Sequence, residues 1–138
     1  MDIRDLMVGD IVRIQEGVVT VTAIGWYIDG EQVVYCKGDS YGIYRNVEDI
    51  KPQPIYVGLL ENNGFKQRNG AEVWDFQEGK TEIHIVPNYF YDDTSVTLII
   101  ERKDNRANGC AKVDINIRFF HELQHFMRLC GVKKQIQL

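Results

Sequence analysis

Two prolines within four residues, Lys51-Pro-Gln-Pro54, set the strongest limit on how this chain folds. Proline fixes its own φ and lacks an N–H, so this stretch neither extends a helix nor continues a central strand. It divides the 138-residue chain into a shorter first part, 1–54, and a longer second part, 55–138. The 44% hydrophobic and 26% charged content matches a globular chain and excludes disorder, collagen and fibrous repeats.

The first part consists of short β-prone segments separated by turn residues. Ile11-Val-Arg-Ile alternates, and Val18 to Ile24 is rich in β-branched residues. Asp29-Gly30 and Gly38-Asp-Ser mark turns, and Gln32 to Cys36 and Tyr41 to Tyr44 lie beside them. Strands this short with tight turns predict a small barrel or a strongly curled sheet. The opening Leu6-Met-Val-Gly9-Asp10-Ile-Val-Arg-Ile resembles the first strand of SH3-like barrels, launched by a Gly-Asp turn.

Beyond the prolines, Ile55 to Asn63 predicts a short helix stopped by Asn63-Gly64. A β-meander follows, with turns at Asn69-Gly70 and Glu78-Gly79 and strands from Ala71, Thr81, Ser95 and Ala111. In Thr81 to Val86, Ile83 and Ile85 point one way and His84 the other. The three aromatics of Pro87-Asn-Tyr-Phe-Tyr-Asp-Asp are expected to pack over the core or form an interface. A final helix is expected to be capped by Asn116 and stopped by Gly131, with Phe119, Leu123, Phe126, Met127 and Cys130 as its buried stripe. The fold class is α+β: an SH3-like β-barrel module at 1–54, then a helix, an antiparallel meander and a helix at 55–138.

The formal net charge is −4, all of it carried by 1–54 while 55–138 is balanced, and from Arg106 onward six basic residues face only Asp114 and Glu122. A mildly acidic chain is not drawn as a whole to nucleic acid or anionic lipid. Nucleic-acid binding is therefore an alternative resting on Arg102, Lys103, Arg106 and Lys112. Trp26, Tyr27, Tyr35, Tyr41 and Tyr44 supply the first module with aromatics for a groove or for core and rim. Cys36, Cys110 and Cys130 are too scattered for a disulfide framework or a Cys-x-x-Cys site and read as buried free thiols. The amino terminus lacks a signal-peptide pattern and no apolar run is long enough to span a bilayer, so a cytoplasmic location without membrane contact is expected. Phosphate-binding glycine loops, the Gly-x-Ser-x-Gly elbow and the EF-hand pattern are missing, and no cofactor is expected.

One string carries chemistry. His121-Glu122-Leu-Gln-His125 reads His-Glu-x-x-His, in which two imidazoles one helical turn apart grip zinc and the Glu acts as general base. Catalytic zinc needs a third protein ligand, and 126–138 contains no Asp, Glu or His. Upstream candidates are His84, Asp92, Asp93 and Glu101, and Cys130 falls on the buried stripe. The competing reading places His121, Gln124, His125 and Arg128 on the polar face of the helix, as a contact surface for a partner.

Taken together, Gly9-Asp10, Leu60-Glu-Asn-Asn-Gly-Phe65 and His121-x-Leu-Gln-His125 with Arg128-Leu-Cys-Gly131 resemble a family of small uncharacterised proteins common in gut Bacteroides genomes and their phages. The resemblance covers nearly the whole chain. It implies no particular activity, and a phage or mobile-element setting favours a small accessory role. In that family the position of Glu122 is often another polar residue, which argues against a general base there. The expected function is non-enzymatic interaction with a protein partner or a second copy of the chain. A zinc-dependent hydrolase and a nucleic-acid-binding accessory protein are the alternatives.

Overall fold

The computed structural model of the chain describes residues 3–88, 95–103 and 110–138. Its contacts define two units. Unit 1 holds Met1–Gln53, Phe119–His121 and Gln135–Leu138, and unit 2 holds Pro54–Arg118 and Glu122–Lys134. The class is α+β, with two antiparallel sheets and two α-helices among the described residues.

Unit 1 contains β1 (Ile11–Ile14), β2 (Gly17–Trp26), β3 (Gln32–Lys37), β4 (Gly42–Asn46) and β5 (Lys51–Pro52), in the order β4-β3-β2-β1-β5. The Gly-Asp launch takes the form expected of it. Gly9 adopts φ 95°, Gly9 N–H donates to the Val21 carbonyl, and the buried Asp10 carboxylate accepts the Met7 N–H at 2.8 Å. Strand alternation puts Val12, Ile14, Val19, Val21, Val34 and Cys36 into one core with Leu6, Val47 and Ile50. Thr22 falls outside the β2–β3 register and its hydroxyl donates to the Tyr35 carbonyl. This bulge shifts the core face from Val21 to Ile24 and adds twist.

The closed barrel is not formed. A 3-10 turn at Val47–Asp49 carries the chain from β4 to β5, and β5 pairs only with β1, through Val12↔Pro52 and Arg13↔Lys51. A two-residue strand ending in proline offers too few donors for a further ladder to β4, so the sheet stays open.

Unit 2 opens with α1 (Val57–Asn62). Gly64 at φ 88° ends it, with the Phe65 and Gly64 N–H groups returning to the Leu60 and Glu61 carbonyls. That paired return is the Schellman stop expected of Asn63-Gly64. The strands are β6 (Lys66–Gln67), β7 (Trp74–Glu78), β8 (Thr81–Pro87), β9 (Val96–Lys103) and β10 (Cys110–Ile117), in sequential order across the sheet. Two cross-strand sets, Trp74↔Ile85↔Leu98 and Phe76↔Ile83↔Ile100, form the apolar face. Phe65 lies against Phe76 with ring centroids 5.1 Å apart. A cavity of about 280 Å³ between α1 and this face is lined by Val57, Leu60, Trp74 and Ile85 among others.

Asn69-Gly70 departs from the two-residue hairpin. The Ala71 N–H bonds the Arg68 carbonyl and Gly70 has φ 69°, but β7 starts only at Trp74, so six residues connect the strands. The wider loop holds Arg68 beside Asp75. Helix α2 (Phe120–Leu129) ends at Gly131, φ 76°, with the Val132 N–H on the Met127 carbonyl, a second Schellman stop. Asn116 does not cap α2. It belongs to β10, and its side-chain carbonyl accepts bonds from Asn88 and Thr97. The tail contains no additional strand, although Ile136 is buried. The aromatics expected at 89–91 and the acidic pair Asp92-Asp93 lie outside the described residues, as does Arg106.

Candidate functional site

Three groups of side chains bear on function: the polar residues of α2, the tip of the β2–β3 hairpin, and the polar face of the unit 2 sheet.

The exposed face expected of His121, Gln124, His125 and Arg128 is not what α2 presents. His121 is 9% exposed and Gln124 4%, and His125 and Arg128 are half-buried. At 100° per residue, the buried positions Phe120, His121, Leu123, Gln124 and Met127 centre about a quarter turn away from the expected stripe. Within that stripe Leu123 and Met127 are buried while Phe126 and Cys130 are half-buried. Imidazole and amide groups count as polar in a periodicity reading, yet both bury readily once they find partners, and neither residue is free here. The His121 ring stacks on Phe119, centroids 5.8 Å apart. Glu122, the general base of the zinc-hydrolase alternative, accepts the Arg118 N–H at 2.7 Å just ahead of the helix. That is a helix-start bond of the capping kind and gives the carboxylate a structural task.

At the hairpin tip, Asp29-Gly30 turns as expected, but through a longer loop. Gly30 N–H donates to the Tyr27 carbonyl, Tyr27 N–H to the Glu31 carbonyl, and Glu31 N–H to the Asp29 carboxylate, with Gly30 at φ 87°. The loop is thus pinned from within. It holds Ile28 fully exposed, with Trp26 at 66% and Tyr27 at 47% exposure. On the outer face of the same unit Tyr35 packs on exposed Tyr44, centroids 4.6 Å apart. Of these residues Ile28 escaped the sequence reading, because a single isoleucine in a turn shows no periodicity.

The polar face of unit 2 comes from the strand register. Asp75 lies opposite His84, and Gln77, Glu82, Glu101 and Lys112 form a row across four strands. Arg68 grips Asp75 with two 2.9 Å bonds, and His84 Nδ1 lies 2.6 Å from the same carboxylate. Partial burial raises the Asp75 carboxyl, but the hydrogen bonds from Arg68 and His84 outweigh it and leave the group below the ordinary carboxylate range. Bonding to Asp75 in turn raises the Arg68 guanidinium. His84 Nε2 faces Glu82 at 3.6 Å and Glu101 at 3.9 Å, and Lys112 stands 3.9 Å from Glu101. Among the described residues, the ligand-type groups that gather in three or more are Glu82, His84 and Glu101, and neither His121 nor His125 joins them.

Of the basic residues considered for nucleic acid, Arg102 is exposed on β9, while Arg106 and the side chain of Lys103 lie outside what the structure describes. Lys112 faces Glu101, and the groove formed by Arg13, Arg45 and Lys51 also contains Glu48 and Asp49. Arg45 pairs with Glu16. Cys36 is a buried free thiol, as expected, and burial pushes it up to about 11; Cys130 is half-buried and also raised by burial. No described helix is long and apolar enough to cross a membrane. No family model, no curated protein and no solved structure matches the chain.

Proposed function

We propose that the chain is a non-enzymatic interaction protein that docks a protein partner through the β2–β3 hairpin tip of unit 1. The observation that carries this reading is the run Trp26-Tyr27-Ile28, exposed on a loop whose own hydrogen bonds fix its shape. Large apolar side chains left in water gain free energy when a partner covers them, and aromatic anchors dominate protein interfaces. A loop already pinned loses little entropy on binding. Asp29 and Glu31 flank the run, so the partner surface is an apolar pocket rimmed by Lys or Arg.

An SH3-like character for unit 1 belongs to the same reading. Its support is the order β4-β3-β2-β1-β5 and the 3-10 turn leading into the last short strand. The resemblance to the Bacteroides and phage family fits an accessory role of this kind in a cytoplasmic setting.

The test is a random-peptide display selection against the full chain, counter-screened with Trp26→Ser/Ile28→Ser. Peptides with an apolar anchor beside basic residues are expected, and the double variant is expected to bind them at least about tenfold more weakly. No enrichment, or equal binding by the variant, overturns the reading. Sedimentation velocity on both proteins asks whether the partner is a second copy: a concentration-dependent dimer lost in the variant identifies it as one.

A further inference from the structure

The geometry points to a binding site for a divalent transition-metal cation on the outer face of the unit 2 sheet, held by Glu82, His84 and Glu101. We propose it as a site separate from the hairpin tip and from the His-Glu-x-x-His string of α2.

The argument starts from strand pairing. Glu82 on β8 lies directly opposite Glu101 on β9, and like charges directly opposite each other destabilise a sheet. His84 is two residues along β8 on the same face, so its ring reaches the gap between the carboxylates. The ligand atoms of the three side chains all lie within 4.8 Å of one another.

Asp75 decides which ring nitrogen is available. Its carboxylate sits 2.6 Å from His84 Nδ1, and Arg68 holds that carboxylate in place with two bonds. Two groups meet Nδ1, the donor-only Arg68 Nη2 at 3.3 Å and the acceptor-only Asp75 carboxylate at 2.6 Å; the much shorter contact favours the proton on Nδ1, and in that neutral tautomer Nε2 keeps a lone pair. That lone pair faces two negative carboxylates. A carboxylate on the far nitrogen of an imidazole is the usual outer support of a metal-binding histidine, because it fixes the tautomer and makes the ring a better donor.

The distances suit a small cation. Metal bonds of about 2.0–2.2 Å place neighbouring ligand atoms of a tetrahedral site roughly 3.4 Å apart. The observed 3.6 and 3.9 Å from Nε2 to the two glutamates need only a small contraction of flexible side chains. A recess of about 520 Å³ bordered by Lys66, Asp75, Gln77, Glu82 and His84 opens beside the ligands and gives an ion and its remaining water a way in. One imidazole and two carboxylates suit zinc and its first-row neighbours better than calcium or magnesium, which prefer all-oxygen shells.

The test uses the full chain, freed of metal by chelator and dialysed against micromolar zinc chloride, with bound metal measured by mass spectrometry. About one zinc per chain is expected. It is lost in His84→Gln and in Glu101→Gln, and kept in His121→Ala/His125→Ala. Circular dichroism establishes that each variant retains the β-sheet signal. Cobalt(II) titration supplies a second readout: visible d–d bands appear in the parent and not in His84→Gln. Asp75→Asn, a change to a positioning residue, is expected to weaken zinc by about 10- to 100-fold without abolishing it. Zinc-free parent protein, binding indifferent to His84→Gln and Glu101→Gln, or binding lost with the α2 histidines overturns the proposal. In the first case His84 is a hydrogen-bonding partner of Asp75 within a polar row and nothing more.

Discussion

The two sheets solve the same problem, five antiparallel strands with an apolar side to bury, in different ways. In unit 1 the last strand returns to pair with the first, the bulge at Thr22 shifts the register of β2, and inner residues of β1, β2 and β3 join one Val-rich core. In unit 2 the strands follow one another in sequence order, with a helix over one face and the other left polar. A sheet whose inner residues make up the core leaves its hairpin tips to meet other molecules. A sheet with an open face can gather charged side chains from several neighbouring strands. The candidate contact in unit 1 is accordingly a loop tip, while the candidate ion site in unit 2 is a register effect spread over β7, β8 and β9. Related topologies thus present unrelated surfaces, and function is argued from those surfaces rather than from the fold.

The sharpest way to break this comparison is through the cores. Phe65, Leu59, Leu60, Ile83, Ile85 and Leu98, with Ile117, Leu123 and Met127, give unit 2 most of the largest fully buried side chains among the described residues. Leu98→Ala, in the middle of β9 between Ile85 and Ile115, is expected to cost about 2–5 kcal/mol. Val34→Ala in unit 1 removes fewer carbons from an equally dry position and should cost less. Urea denaturation of the two variants measures both. A larger loss for Val34→Ala would mean that the unit 1 sheet, despite its smaller side chains, is the more tightly packed of the two.

An intermediate effect is expected at Gly42, where the outer face of unit 1 is at its most crowded. A Cβ there would meet the Tyr35 ring, with Cζ at 2.7 Å, so the ring must turn. Tyr35 in turn supports exposed Tyr44. Gly42→Ala is expected to cost about 1 kcal/mol, in the range of a forced rotamer change, and to alter the near-ultraviolet circular dichroism of the tyrosines. An unchanged spectrum with unchanged stability would show that the Tyr35–Tyr44 pair does not depend on this glycine.

Residue by residue, the legible parts of the molecule are those set by local chemistry. Gly9-Asp10, Asn63-Gly64, Glu78-Gly79 and Gly131 do what their types demand, because each turn or cap is decided within a few residues. Less legible were features set by partners distant in sequence. The failure of β4 to close on β5 depends on how little ladder Lys51–Pro52 can form. The buried face of α2 is hidden from the periodicity in the same way, because His121 and Gln124 are polar types that bury once they have partners. For unit 2, the opposed directions of Ile83 and His84 were readable from alternation, and Glu101 was a named candidate ligand. That Asp75, Glu82 and Glu101 meet at His84 follows only from the β7–β8 and β8–β9 registers, and the six-residue Arg68–Val73 connection gives β6–β7 a register other than the one the hairpin Asn69-Gly70 suggests, which brings Arg68 to Asp75.

The smallest expected effect tests the polar face of unit 2 through acid. The Asp75 carboxyl lies below its ordinary value in the folded chain, since the bonds from Arg68 and His84 overcome desolvation. A carboxyl whose folded value is depressed binds its proton more weakly folded than unfolded. Its stabilising contribution is therefore complete above the ordinary carboxylate value of about 3.8 and is lost as pH falls through the lowered folded value. The group is partly exposed and the Arg68 side chain more so, so solvent screens the interaction and the contribution is a small one. Asp75→Asn should lower stability slightly at pH 7 and narrow its gap to the parent below pH 4, as urea midpoints across that range would record. Salt should shrink the same difference at pH 7, because screening acts on exposed charges first. A difference that stays constant from pH 7 down to pH 3 would assign Asp75 a packing role, and the Arg68–Asp75–His84 chain would then have no electrostatic hold on the sheet.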